Sequence, residues 1–346
     1  LVLGIQLSAL PISRAFIASS VQRKMTAYFL PTVFLVIVAS TNGFEEHWEG
    51  YKNVYNKSYR IGETRMMTNW LNNAEKVIKH NLEFESGIHT YNLKANHLAD
   101  LHRTDYLKMI GLKPSRHRKL ADTNLLRDSP HDKSDLPEEF DWREKGFVTP
   151  AWNQESCGSC YAFSIAASVQ GQMFKTKGQL EGLSQQQIVD CSVLTGNLGC
   201  GGGSFKNTLR YIELAGLMKE SDYPYNGKQN LCKYTALKDR VRIKTWKVLP
   251  ARDEEALKAA LVAVGPISVS LNASPYTFQL YHSGVYDDPD CPDDTLNHAM
   301  LLVGYTKDSW ILKNWWTERW GQNGYMHLKR GRNRCGIADY AVFIEG

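Results

Sequence analysis

Apolar residues recur at steps of three and four through Met67, Trp70, Leu71, Ala74, Val77, Ile78 and Leu82, a spacing that predicts an amphipathic helix with one buried face. Ahead of it Trp48, Tyr51, Tyr55 and Tyr59 punctuate a polar stretch, so residues 44–113 read as helical with aromatic anchors. Residues 114–135, rich in Arg, Asp, Ser and Pro, read as a linker from which few core residues fold back. From Leu136 onward Gly, Cys and Trp become frequent. Ala162, Ala166, Val169 and Met173 step by four, three and four until Gly178 stops the pattern, which predicts a helix starting at or near Cys160. Ser184-Gln185-Gln186-Gln187 has the form of a capping box and predicts a second, short helix. Beyond about residue 240 the pattern turns to strands: Val241, Ile243 and Thr245 alternate, and apolar runs occupy Ile267–Val269, Met300–Val303 and Trp310–Leu312. The chain is helical first and β-rich second.

With 346 residues, 43% hydrophobic and 22% charged, the composition is that of a globular protein and excludes a collagen, a coiled coil or a disordered chain. Length suggests two or three domain-sized units. A net charge of +5, scattered along the chain, excludes a nucleic-acid footprint. The one basic run, Arg116-His117-Arg118-Lys119, reads as an exposed processing or linker segment. Tyr28 to Ala39 is apolar but holds Pro31 and falls short of the ~20 residues a membrane span needs. It reads as a secretory signal over residues 25–40, no membrane anchor is expected, and residues 1–24, ahead of Met25, are expected to be a non-native extension. Secretion implies a compartment in which disulfides persist.

There are seven cysteines, at 157, 160, 191, 200, 232, 291 and 335. Six can pair in fifteen ways and the seventh must be free, which is hazardous unless the thiol is used. Zinc competes for Cys157-x-x-Cys160, but no second ligand pair follows at the expected interval. Spacing alone does not say which cysteine stays free.

The strongest local signal is the run Gln154 to Phe163, which contains C-G-S-C-Y, with His298 lying 138 positions and Asn314 154 positions beyond Cys160. A thiol ionises more readily at a helix start beside an imidazole, so Cys160 is the candidate nucleophile. His298 would be base and acid in turn. Asn314 would hold the ring through its side-chain oxygen, and Gln154 with the Cys160 N–H would face a tetrahedral oxyanion. Taken singly, a satisfied core histidine, a turn asparagine or a Cys157–Cys160 bridge would be the ordinary reading.

From about Trp48 to its end the chain resembles the papain-like cysteine proteases, cathepsin L subgroup. The resemblance implies an α+β fold of two domains: a helical left domain over about 136–245 and a β-barrel-like right domain over about 246–346, preceded by a helical propeptide over 41–135. It also implies bridges Cys157–Cys200, Cys191–Cys232 and Cys291–Cys335, leaving Cys160 free. Gly202 and Gly203 match the family's glycine wall, where a peptide backbone pairs in extended form. Ser204, Phe205, Ser270, Leu296, Ala299 and Tyr340 match the pocket for the residue two before the scissile bond. Tyr340 on its floor predicts a shallow pocket that prefers Leu, Val or Pro to Phe. Trp316 matches the ring shielding the His–Asn bond, and Trp320 the next subsite wall. Trp70, Asn73, Val77 and Asn81, then Asn96 to Asp100, match the inhibitory propeptide, with Glu63 and Arg65 one register off.

Three departures stand out: Trp315 and Thr317 where the family has Ser and Gly, and Glu155 for a glycine beside Gln154. If the glycine before Glu318 needs a positive φ, Thr317 costs about 1 kcal/mol or more there. The expected function is therefore a cysteine endopeptidase acting through a thioester, made as a zymogen cut within about residues 115–136, in the secretory pathway and destined for a lysosome or the extracellular space. Expected partners are peptide or protein substrates, its own propeptide and cystatin-like inhibitors, with no cofactor, no metal, no nucleic acid and a monomeric state. The competing reading is a catalytically impaired homologue that binds or inhibits proteases. Asn56-Lys57-Ser58 and Asn272-Ala273-Ser274 have the form of glycan acceptors.

Overall fold

The computed structural model describes residues 41–113, 125–126 and 136–345. The expected extension, signal segment and basic run therefore lie outside the described residues, as does most of the linker. Among the described residues no helix is long and apolar enough to cross a membrane. The described residues up to Arg60 belong to a unit of their own that holds helix α1 (Thr41–Tyr55); Trp48 of the helix stacks on Tyr51 and on Tyr59, which follows it. The second unit, residues 61–346, holds the rest.

In that unit α2 (Glu63–Glu85) is followed by β1 (Tyr91–Leu93) and α3 (Arg103–Met109). The helix expected from the apolar run is present, but its buried face differs from the predicted one. Asn73, Val77 and His80 are buried whereas Ile78 and Leu82 are exposed. The reason is hydrogen bonding rather than hydropathy. The Asn73 amide donates to the Ala99 carbonyl at 2.8 Å, and Asn81 exchanges two 2.9 Å bonds with the backbone of Leu93. A buried peptide group left unpaired is costly, so amides that satisfy it belong inside.

The remainder runs β2 (Phe140–Asp141), α4 (Cys160–Lys177), α5 (Gln185–Cys191), α6 (Phe205–Ala215), β3 (Leu217–Met218), β4 (Arg240–Val241), β5 (Thr245–Val248), α7 (Glu254–Val264), β6 (Ile267–Leu271), α8 (Tyr276–Gln279), β7 (Tyr281–Tyr286), β8 (His298–Tyr305), β9 (Ser309–Lys313), β10 (Tyr325–Lys329) and β11 (Ala341–Glu345). The large sheet has the order β1-β7-β10-β9-β8-β6-β11-β5, with β2 also on β8. Its ladders are antiparallel except β7 with β10. Strand β1 pairs antiparallel with β7, Tyr91 opposite Gly284, so an N-terminal segment supplies an edge of the later sheet. Leu126 donates its N–H to the Val248 carbonyl at 3.0 Å while Leu125 stays half-exposed, so these two described residues of the linker meet the end of β5.

Helix α4 is buried on nearly every side from Cys160 to Met173. Small residues make that possible: the Ser164 hydroxyl donates to the Met300 carbonyl at 2.8 Å and Ser168 to that of Pro266 at 2.9 Å, holding the helix against β8 and β6. Each fully buried side chain such as Phe163 or Ile165 stabilises the fold by roughly 1.5–3 kcal/mol. The short α5 starts where the capping pattern places it, with the Ser184 hydroxyl accepting from the Gln187 N–H at 2.9 Å. Asn272 is buried, its amide donating to the Pro292 carbonyl, so that acceptor motif is closed to a glycan in the folded protein.

Candidate active site

The site is assembled from the first residue of α4, the first residue of β8 and the residue after β9. Cys160 is the free cysteine and is fully buried; the bridges are Cys157–Cys200, Cys191–Cys232 and Cys291–Cys335. The first of them fixes the loop ahead of Cys160, as do the 3.0 Å bond from the Gly158 N–H to the Cys200 carbonyl and a Ser159–Tyr225–Gln154 chain. In that chain the Tyr225 hydroxyl lies 2.7 Å from the Ser159 hydroxyl and donates to the Gln154 carbonyl at 2.8 Å. The Gln154 N–H in turn donates to the Trp315 carbonyl at 2.9 Å, tying the loop to the segment after β9.

His298 is fully buried, with Nε2 2.9 Å from Asn314 Oδ1. An amide oxygen only accepts, so Nε2 carries the proton and Nδ1 keeps its lone pair. That Nδ1 has no hydrogen-bond partner, an unusual state for a buried polar atom. The Trp316 ring stacks on the imidazole with centroids 4.9 Å apart, and Trp320 meets Trp316 edge-on at 5.3 Å. Burial pushes the Cys160 thiol up to about 11, opposed in part by backbone groups of Gly111, Ala299, Tyr161 and Leu112. Burial likewise pulls His298 down to about 4, against the raising effect of Asn314. In this closed state burial thus disfavours the charged form of both groups.

The cover is a segment that the sequence pattern did not single out, Met109 to Lys113. The Gln154 side-chain amide donates to the Met109 carbonyl at 2.7 Å and to that of Cys157 at 2.8 Å. Leu112 bridges Gly203 in parallel: the Gly203 N–H donates to the Gly111 carbonyl at 2.9 Å and the Lys113 N–H to the Gly203 carbonyl at 2.8 Å. Leu112 also donates to the Asn297 carbonyl at 2.9 Å. Its side chain is buried in the cluster that contains Phe205 and Ala299, with Leu296 and Tyr340 packed against it. The only sequence hint is a short apolar run ending at the polar linker.

Of the other residues singled out, Phe205 stacks on Tyr340 with centroids 5.5 Å apart. Gly202 lies against the same segment, since a Cβ there would come 2.1 Å from the Gly111 carbonyl oxygen. The hydroxyls of Ser204 and Ser270 are engaged in the framework, the first accepting from the Asn207 N–H at the start of α6 and the second donating to the Tyr340 carbonyl. Trp315 is buried beside Phe163 and donates its indole N–H to the Ala299 carbonyl at 2.9 Å, so the indole is absorbed into the core below the cleft. Lys313 is buried next to Asn314, its ammonium donating to Thr149 and lying 5.4 Å from the Trp315 ring centroid, and burial pulls it down to about 7.

Thr317 has φ 62° and Glu155 φ 56°. A β-branched residue in the left-handed region is strained by about 1 kcal/mol or more. Thr317→Gly relieves that strain, offset by the greater freedom of glycine in the unfolded chain. A net gain of a few tenths of a kcal/mol, at most about 1, is expected in urea unfolding of the intact chain, and a loss of stability would contradict the assignment of strain.

The profile described as papain family cysteine protease matches residues 136–344, and that of the cathepsin propeptide inhibitor domain (I29) matches residues 48–106. Mouse cathepsin K is 40% identical over 308 residues, covering 86% of this chain and 92% of that protein. Human cathepsin L2 is 36% identical over 307 residues, covering 86% and 91%. Digestive procathepsin L 3 of Tenebrio molitor larval midgut superposes with a TM-score of 0.80 at 32% identity, covering 88% of this chain and 99% of that one. The proform of the ragweed pollen allergen Amb a 11 gives 0.78 at 30% identity, covering 89% and 96%.

Proposed function

This chain belongs to the papain family of cysteine proteases and is a cathepsin L-like proenzyme, and we propose that Cys160, His298, Asn314 and Gln154 are its catalytic residues. The observation that carries the proposal is an unbridged cysteine at the start of α4 together with an imidazole whose Nε2 is fixed by Asn314 and whose Nδ1 is left free. With the cover removed, Nδ1 takes the thiol proton and the thiolate attacks the substrate carbonyl carbon. The carbonyl electron pair moves to oxygen, where the Gln154 amide and the Cys160 N–H donate to it; such a donor is worth roughly 3–4 kcal/mol. The C–N bond then breaks as His298 protonates the leaving amine, leaving a thioester. Water, deprotonated by His298, attacks that thioester and restores the thiol. Asn314 orients the ring through a neutral bond throughout.

The mature peptidase is proposed to begin near residue 136, after a cut within about 115–136. Signal-like residues 25–40 and three disulfides support passage through the secretory pathway to a lysosome or the extracellular space, where cystatin-like inhibitors would compete for the opened cleft. Substrate preference is inferred from Leu112, which in the unprocessed chain is buried in the same core cluster as Phe205 and Ala299, the cluster against which Leu296 and Tyr340 also pack. Tyr340 stacked on Phe205 leaves the pocket shallow, so peptides with Leu two residues before the scissile bond are expected to show kcat/KM at least fivefold above those with Phe. Tyr340→Ala should reverse the order. Equal turnover in both enzymes would remove the pocket assignment, and hydrolysis that survives alkylation of Cys160 would remove the mechanism.

A further inference from the structure

Outside the cleft, His80, Glu83 and His89 gather at the C-terminal end of α2. Their candidate ligand atoms, one from each side chain, all lie within 4.8 Å of one another. His80 and Glu83, three apart on a helix, share a face. His89 returns after the helix end, with Nε2 3.0 Å from Glu83 Oε2 and its ring stacked on that of His80 at 4.0 Å. His80 is buried, and its Nε2 lies 3.0 Å from the Tyr91 carbonyl. Nε2 must donate there, which leaves Nδ1 as a lone-pair donor; a ligating imidazole is typically held in this way by a carbonyl on its other nitrogen. The three side chains line a cavity of about 610 Å³ whose lining also includes Asp288, Asp290 and Arg103.

We propose that this cluster is a site for a divalent transition-metal ion of the zinc class. The ligands would be His80 Nδ1, a His89 ring nitrogen and one Glu83 oxygen, with water completing the shell. Two imidazoles and a carboxylate suit such an ion, with bonds of about 2.0–2.2 Å. His89 and Glu83 are partly exposed, so theirs are the side chains that would reorient to close the shell around an ion. The ion would join the end of α2 to the segment leading into β1, the strand paired with β7, and so brace the propeptide on the sheet. That consequence rests on the proenzyme reading; the binding does not.

The test uses the intact chain carrying Cys160→Ser, which removes the competing thiol, without a polyhistidine tag, at one neutral pH. Titration with zinc chloride by calorimetry should show one ion per chain at micromolar Kd or tighter, and cobalt(II) should give the visible bands of a low-coordinate site. Glu83→Gln and His89→Gln, both at partly exposed positions, should each weaken binding at least tenfold and abolish the rise in Tm that zinc produces in the parent. Absence of binding at 100 µM zinc, or an unchanged Kd in both variants, overturns the site. Because the chain used is inactive, neither result alters the protease reading, which stands or falls on the peptide assays.

Discussion

Gly111→Ala is expected to make the unprocessed chain active. A Cβ at residue 111 would sit 1.9 Å from the Gly158 carbonyl oxygen and 2.4–2.5 Å from the carbonyl carbon and Cα of that residue. All three are backbone atoms of the loop that the Cys157–Cys200 bridge holds, so no side chain can swing aside. The segment must lift instead. Lifting costs the Gly203–Gly111, Lys113–Gly203 and Leu112–Asn297 bonds, each worth about 1 kcal/mol net, whereas staying costs roughly 1–3 kcal/mol of overpacking. A loss of about 3 kcal/mol corresponds to roughly 10²-fold in occupancy of the cleft. The expected result is therefore at least 10²-fold faster turnover of a short peptide by the intact variant at neutral pH, with chain integrity followed on a gel. An enzyme matured by the proposed cut within about 115–136 would lack residue 111 and so serves as the unaffected control. An intact variant within twofold of the parent would show that Met109–Lys113 does not close the cleft.

The distribution of what was legible follows from which forces a sequence displays. Helix α4 was readable because small and apolar residues at steps of three and four produce burial whatever surrounds them, and Gly178 ends the pattern. Cys160, His298 and Asn314 stand out as candidates because few residue types carry that chemistry and their spacing matches a known family, and the structure leaves Cys160 unbridged and joins His298 to Asn314. The buried face of α2 was not, since hydropathy ranks Asn73, His80 and Asn81 as surface residues while backbone carbonyls of residues 91–99 draw them inward. Glycine contacts are more opaque still. Gly111 meets Gly158 across 47 positions, and neither has a side chain whose character could announce the encounter. The left-handed Thr317 came into view only through the glycine that relatives place there, and its strain does not disturb the 2.9 Å His298–Asn314 bond. That retained geometry, with Trp315 packed into the core, disfavours the impaired-binder reading.

Cys160 of the unprocessed chain is expected to react with iodoacetamide at least 10³-fold more slowly than Cys160 of the matured enzyme at pH 6. The alkylating species is the thiolate. With burial pushing the thiol up to about 11 and pulling His298 down to about 4, the thiolate is a minor species at pH 6 and burial disfavours a compensating imidazolium. Removing Met109–Lys113 readmits water, lowers the desolvation cost of both charges, and lets the proton pass from sulfur to Nδ1. The sign of the pH dependence is informative. Thiol plus imidazole holds the same number of protons as thiolate plus imidazolium, so the exchange neither binds nor releases a proton. Between about pH 4 and 8 this pair therefore gives the release of the propeptide no pH dependence, and any acid triggering must arise from other groups that titrate differently in the two states. A matured enzyme should consequently show a flat, rapid labelling rate from about pH 5 to 8, while the unprocessed chain shows a slow rate that climbs tenfold per pH unit toward alkaline solution. A rapid rate for the unprocessed chain at pH 6, with the chain still intact, would mean that the buried pair is already ionised and that burial does not silence it.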